Sequence, residues 1–251
     1  MNAESDRRTM HSRRDPALTL AWAKDGAEHL RGHMARLGDD AFKAPSGLPG
    51  WTRAHVLTHV ARNADALINL LDWARTGVRT PAYADEAQRA ADIESGAERP
   101  VAQIRVDVLM SSDRLAAAVV NTPAEAWSAT VELRGRAIPA TDVTWLRAVE
   151  TWVHAIDLDV GAQYTDLPQP MLLALVGEVA ETMGARPGVP GLVLTATGAP
   201  EGRWEVGQPD AGSPEIGGSA AELAAWLTGR SRGRHLRRPA GSQLPQLEAW
   251  K

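Results

Sequence analysis

Apolar residues recur along much of the chain at steps of three and four, the spacing of a helix that buries one stripe. Val56, Val60, Ala64, Leu67 and Leu71 keep that step. Thr52 stands where an N-cap is needed, and Gly77 where a left-handed residue ends such a run, so a long helix is predicted between them. Asp15-Pro16 opens an earlier helix reaching about Leu37, the aspartate as cap and the proline in the first turn. A third is predicted over Val101 to Val120, and Thr141 or Asp142 opens a fourth reaching Val160. Arg79 to Arg99 reads as a long loop with room for one short helix. Trp127–Leu133 reads as extended and runs into the turn-like Arg134-Gly135-Arg136. Four long amphipathic helices make a bundle.

The pattern changes after Gly161. A helix over about Pro170–Met183 leads into short alternating runs, Leu192–Thr197 and Arg203–Val206, punctuated by Gly and Pro. Gly217-Gly218 reads as a turn before an Ala/Leu-rich helix, Ser219–Leu227, which closes at Gly229. The expected class is α+β: a flexible tail over 1–14, a helical bundle over 15–161, a small α+β domain over 162–238 and a second tail over 239–251.

Of the 251 residues, 44% are hydrophobic and 23% charged, the balance of a folded protein rather than a disordered one. Cysteine is absent, which excludes disulfides, thiolate metal sites and a cysteine nucleophile. A net charge of −4 gives no reason to expect nucleic acid or an anionic membrane as partner. No run approaches the ~20 apolar residues of a spanning helix, and the first twenty residues lack an apolar signal core. A cytoplasmic protein acting on small molecules, as a monomer or small homo-oligomer, is expected. Neither a phosphate loop nor a dinucleotide fingerprint is present.

Candidate chemistry concentrates on two of the bundle helices. The second carries His55 and His59 one turn apart; His59 falls at the edge of the apolar stripe, His55 further round toward solvent, and Asn63 one turn beyond could orient a ligand or a water. The fourth carries Glu150 and His154 at i, i+4, a spacing that lets both side chains converge on one metal ion. Arg147 and Asp157 share their face. That same face also fits a solvated surface laced with ion pairs, and spacing alone leaves both readings open. Tyr83 in the long loop is either a pocket wall or surface, and the arginine-rich run Arg230 to Arg238 reads mainly as a solvated segment.

The runs GWTRAHVLTHVARNADAL (Gly50–Leu67), RTPAYADEAQRAADIESGA (Arg79–Ala97) and ETWVHAIDL (Glu150–Leu158), with LAAWLTGR (Leu223–Arg230) near the end, closely resemble the mycothiol-dependent maleylpyruvate isomerases of the DinB-like metal-binding superfamily. The resemblance implies a DinB-like four-helix bundle followed by a small C-terminal domain. It also implies a divalent metal, usually taken to be zinc, held by His59, Glu150 and His154. It further implies a catalytic arginine, for which Arg230 is the match, with Arg232 and Arg234 close by. The implied reaction is cis–trans isomerisation of maleylpyruvate to fumarylpyruvate in gentisate-type aromatic degradation. Mycothiol would add to the conjugated double bond, leave a rotatable single bond and then depart. A free thiol, with a pKa of about 8.5, is mostly protonated at neutral pH, so the metal's implied role is to ionise it. Arg230 would then anchor a substrate carboxylate and stabilise the developing enolate. The same ligands would also suit a mycothiol S-transferase acting on another electrophile, or a non-catalytic metal- or ligand-binding protein.

Overall fold

The structure, a computed structural model, describes residues 15–200, 202–245 and 250. The expected tail over 1–14 lies outside the described residues. The rest separates into two compact units, one within Arg14–Ala162 and one within Gln163–Lys251.

The first unit is built on four long helices. In α1 (Pro16–Ala35) the Asp15 carboxylate accepts from the amides of Ala17, at 2.9 Å, and Leu18. Helix α2 (Arg53–Thr76) starts at Thr52, whose amide donates to His55 Nδ1 at 3.2 Å, and ends on Gly77 at φ 72°. The loop expected over Arg79 to Arg99 contains α3 (Glu86–Ala97), started by Asp85, which accepts from the Gln88 amide at 2.7 Å. Helices α4 (Val101–Val120) and α5 (Asp142–Asp157) complete the set; α5 stops three residues short of the predicted end, where Asp159 turns to φ 53°. Between them a hairpin pairs β1 (Thr130–Leu133) with β2 (Arg136–Pro139). Its two-residue turn places Arg134 at φ 50° and Gly135 at φ 76°, the two positive angles that match the twist of the flanking strands.

Helix α5 is central to this unit. It packs along α1 on one side and meets α2 on another, while α2 also runs against α4. At the α1/α5 seam Gly26 lacks a side chain because a Cβ there would overlap Thr151 and Trp152. Trp152 Nε1 donates to the Trp22 carbonyl at 2.9 Å, and the Thr19 and Thr144 hydroxyls meet at 2.7 Å, so the seam's polar groups are satisfied as it closes. Phe42, Val60, Ile104 and Leu158 centre one apolar cluster; Leu67, Leu70, Leu115 and Val143 centre another. Helices α1 and α4 scarcely meet, and a cleft remains between them.

The second unit has α6 (Gln169–Gly184), α7 (Ala220–Leu227) and a three-stranded sheet of β3 (Leu192–Ala196), β4 (Arg203–Val206) and β5 (Glu215–Gly218) in the order β4-β3-β5. Strand β3 is antiparallel to β4 and parallel to β5. Leu192, Leu194 and Ala196 alternate inward, as do Trp204 and Val206. The class is α+β. One expectation is corrected: Gly217 and Gly218 are not a turn but the end of β5, where the Gly217 amide donates to the Arg237 carbonyl at 2.9 Å and Gly218 leaves room for Leu236. Ser219 caps α7, with Glu222 accepting back from its amide at 2.8 Å. In the segment expected as a second tail, Trp250 is buried and its carbonyl accepts from Arg186, while 246–249 and 251 lie outside the described residues. Among the described residues no helix is long and apolar enough to cross a membrane.

Candidate metal centre

The burial of α5 decides between the two readings of its polar face. Packed between α1 and α2, the helix presents no solvated stripe there: Arg147 is 4% exposed and Asp157 1%. Glu150 and His154 project toward α2, where His59 meets them. Both imidazoles address the same carboxylate oxygen, His59 Nε2 at 2.9 Å and His154 Nε2 at 3.1 Å from Glu150 Oε2. The two rings stand edge to face with centroids 4.6 Å apart. One donor atom from each of the three residues falls within 4.8 Å of the others. Two imidazole nitrogens and one carboxylate, converging from two rigid helices, form a donor set suited to a zinc-like ion with a coordination position left open.

Each ligand candidate has its own support. His154 Nδ1 lies 2.8 Å from Asp157 Oδ2, so Nδ1–H is given to a buried carboxylate and Nε2 is the nitrogen turned to the cluster. Burial pulls the His154 pKa down, but the hydrogen bonds to Asp157 and Glu150 outweigh it and hold the ring above its ordinary value. His59 goes the other way. Burial lowers it to about 4, and the bond to Glu150 offsets this only in part.

His55 departs from expectation. It is 8% exposed against 5% for His59, so it does not turn to solvent. It is still outside the cluster, because its Nδ1 is engaged by Thr52 and its Nε2 faces Glu94 at 3.3 Å. Asn63 Oδ1 accepts from Arg147 Nη1 at 3.0 Å.

Helix α3 adds a residue that the sequence reading did not single out. Arg89 reaches from it to within 3.3 Å of His59 Nδ1, lies over the Tyr83 ring and pairs with Glu86 at 2.8 Å. Its Nε is buried without a hydrogen-bond partner among the described residues. Gly96 makes the approach of α3 possible, since a Cβ there would strike Thr58, the residue before His59. Tyr83 is half-buried, with its hydroxyl pKa raised by burial and then by Glu150, and Trp51 lies 5.6 Å from His59. The signal for Arg89 was its place in the Arg79–Ala97 run, but one charged residue on a short exposed helix carries no mark of facing inward.

Arg230 belongs to the other unit, just after α7, where it is half-buried and donates to the Thr228 carbonyl at 2.6 Å. Arg232 and Arg234 are exposed.

Residues 10–159 match the family model described as mycothiol maleylpyruvate isomerase N-terminal domain. Among solved structures the chain is similar to a mycothiol-dependent maleylpyruvate isomerase, with 31% identity and a TM-score of 0.87 over 94% of this chain and 97% of that one. It is likewise similar to a histidine-to-alanine mutant of such an isomerase, with 30% identity and a TM-score of 0.86 over the same shares. No curated protein matches the chain.

Proposed function

The chain belongs to the mycothiol maleylpyruvate isomerase family, and from that premise we propose that it isomerises maleylpyruvate to fumarylpyruvate using mycothiol and a divalent metal, zinc by the donor set. The observation that carries this reading is the convergence of His59, Glu150 and His154 on one point, with Asp157 fixing the His154 ring. When bound there, the metal supplies the charge that ionises a thiol, and the thiol supplies a reversible addition that makes a double bond single.

The chain's own residues do the rest. It has no cysteine, so the sulfur comes from a small molecule. Glu150 sets a negative charge between two imidazoles, and Asp157 keeps His154 Nε2 directed inward. Trp51 lies against His59, and Tyr83 packs under Arg89. Arg230 is proposed to grip a substrate carboxylate with its planar fork and to stabilise negative charge developing on the substrate.

The test follows the ultraviolet absorbance of maleylpyruvate with the metal-loaded protein, with and without mycothiol, and again after chelation. Conversion to the trans isomer that needs both metal and thiol, and leaves the thiol unconsumed, supports the proposal. Stoichiometric loss of thiol makes the protein an S-transferase instead, and absence of both metal and thiol binding makes it a non-catalytic binding module.

A further inference from the structure

The cleft between α1 and α4 holds a half-open cavity of about 440 Å³, within the range of small-molecule pockets. Ala23, Val108, Leu115 and Val143 are among its apolar walls. None of His59, Glu150 and His154 lines it, so it is separate from the metal centre. Its polar lining includes Arg147 and Ser112, joined by the bond from Arg147 Nη2 to Ser112 Oγ at 3.0 Å.

Arg147 is unusual for a buried cation. Nη1 donates to the Val60 carbonyl at 2.8 Å and to Asn63 Oδ1, and Nη2 to Ser112, so every acceptor it has among the described residues is neutral. Those three bonds leave two of the five guanidinium N–H groups without a partner among the described residues. No carboxylate of the described residues forms an ion pair with it; Glu150 and Asp65 act on it only through space. A charge taken out of water in this way is normally matched by an opposite charge. The mouth carries Lys24 and Arg31 together with Glu28 and Asp113, charges of both signs, which leaves Arg147 as the group that selects.

We propose that this cavity binds a monocarboxylate with an apolar tail, its carboxylate on Arg147 and Ser112 and its tail between α1 and α4. The walls bury the tail, and the free guanidinium donors fit a carboxylate better than any neutral head group.

Octanoate and 1-octanol titrated into the zinc-loaded full-length chain by calorimetry test this. Octanoate is expected to bind, and octanol at least about ten-fold more weakly, the usual margin for a hydrogen bond to a charged group. Arg147→Met should erase that difference. Ala116→Trp, at an exposed alanine lining the cavity, should abolish binding of both while zinc content stays unchanged. The proposal falls if octanoate fails to bind at millimolar concentration, if octanol matches it, or if Ala116→Trp binds as the parent does. Should Arg147→Met not fold, the octanol comparison and Ala116→Trp still decide. Neither outcome depends on isomerase activity, so failure here and failure of the isomerase reading are separate results.

Discussion

His59 and His154 share one carboxylate oxygen yet are shifted in opposite directions. His59, at about 4, has no proton to lose near neutrality, whereas His154 is held above its ordinary value by Asp157 and Glu150. Protons therefore compete with a metal at His154 up to a higher pH than they do at His59. Metal affinity should fall as pH is lowered, because the raised His154 pKa lets protons compete, and titrations in two buffers of different ionisation heat should reveal proton release. Affinity that stayed flat between about pH 6 and 8 would remove His154 from the ligand set. His59→Ala should lose both metal and turnover, since two remaining ligands hold zinc poorly. Asp157→Ala should keep the site but weaken it about 10–100-fold in a chelator competition, the usual cost of losing a carboxylate behind a ligating histidine.

Among the elements, the hairpin offers a clean test. Arg134 sits at φ 50°, where a side chain is strained, and it precedes Gly135 in a turn that favours Asn-Gly. Arg134→Asn should raise unfolding stability by up to about 1 kcal/mol, read as an upward shift in thermal midpoint with no change in metal content. The long helices were legible in sequence because their stripes are broad and their ends carry chemistry: Thr52 and Gly77 bracket α2 as predicted. Helix α3 was harder to read, since it buries only Ile93, Gly96 and Ala97, too few to set a period. Strand β5 was misread because Gly-Gly signals a turn locally, and only the pressure of Leu236 and Arg237 on it explains the choice. The ligand spacing on α5 was visible, but its burial was not: that depends on α1 and α2 covering it from both sides.

At the scale of the molecule, the three ligand candidates and Asp157 lie in one unit and Arg230 in the other. Metal retention and turnover should therefore separate. Arg230→Ala is expected to keep its full metal content and lose at least about a hundred-fold in rate, the scale of removing a group that stabilises transition-state charge. A variant with normal rate would end the proposed role of Arg230, and one that lost metal would tie the arginine to the fold instead. The division also bears on how such a protein can change over generations. Mutations confined to Gln163–Lys251 leave His59, Glu150 and His154 in place, so selection on the proposed grip of Arg230 can proceed while the proposed metal centre is inherited intact.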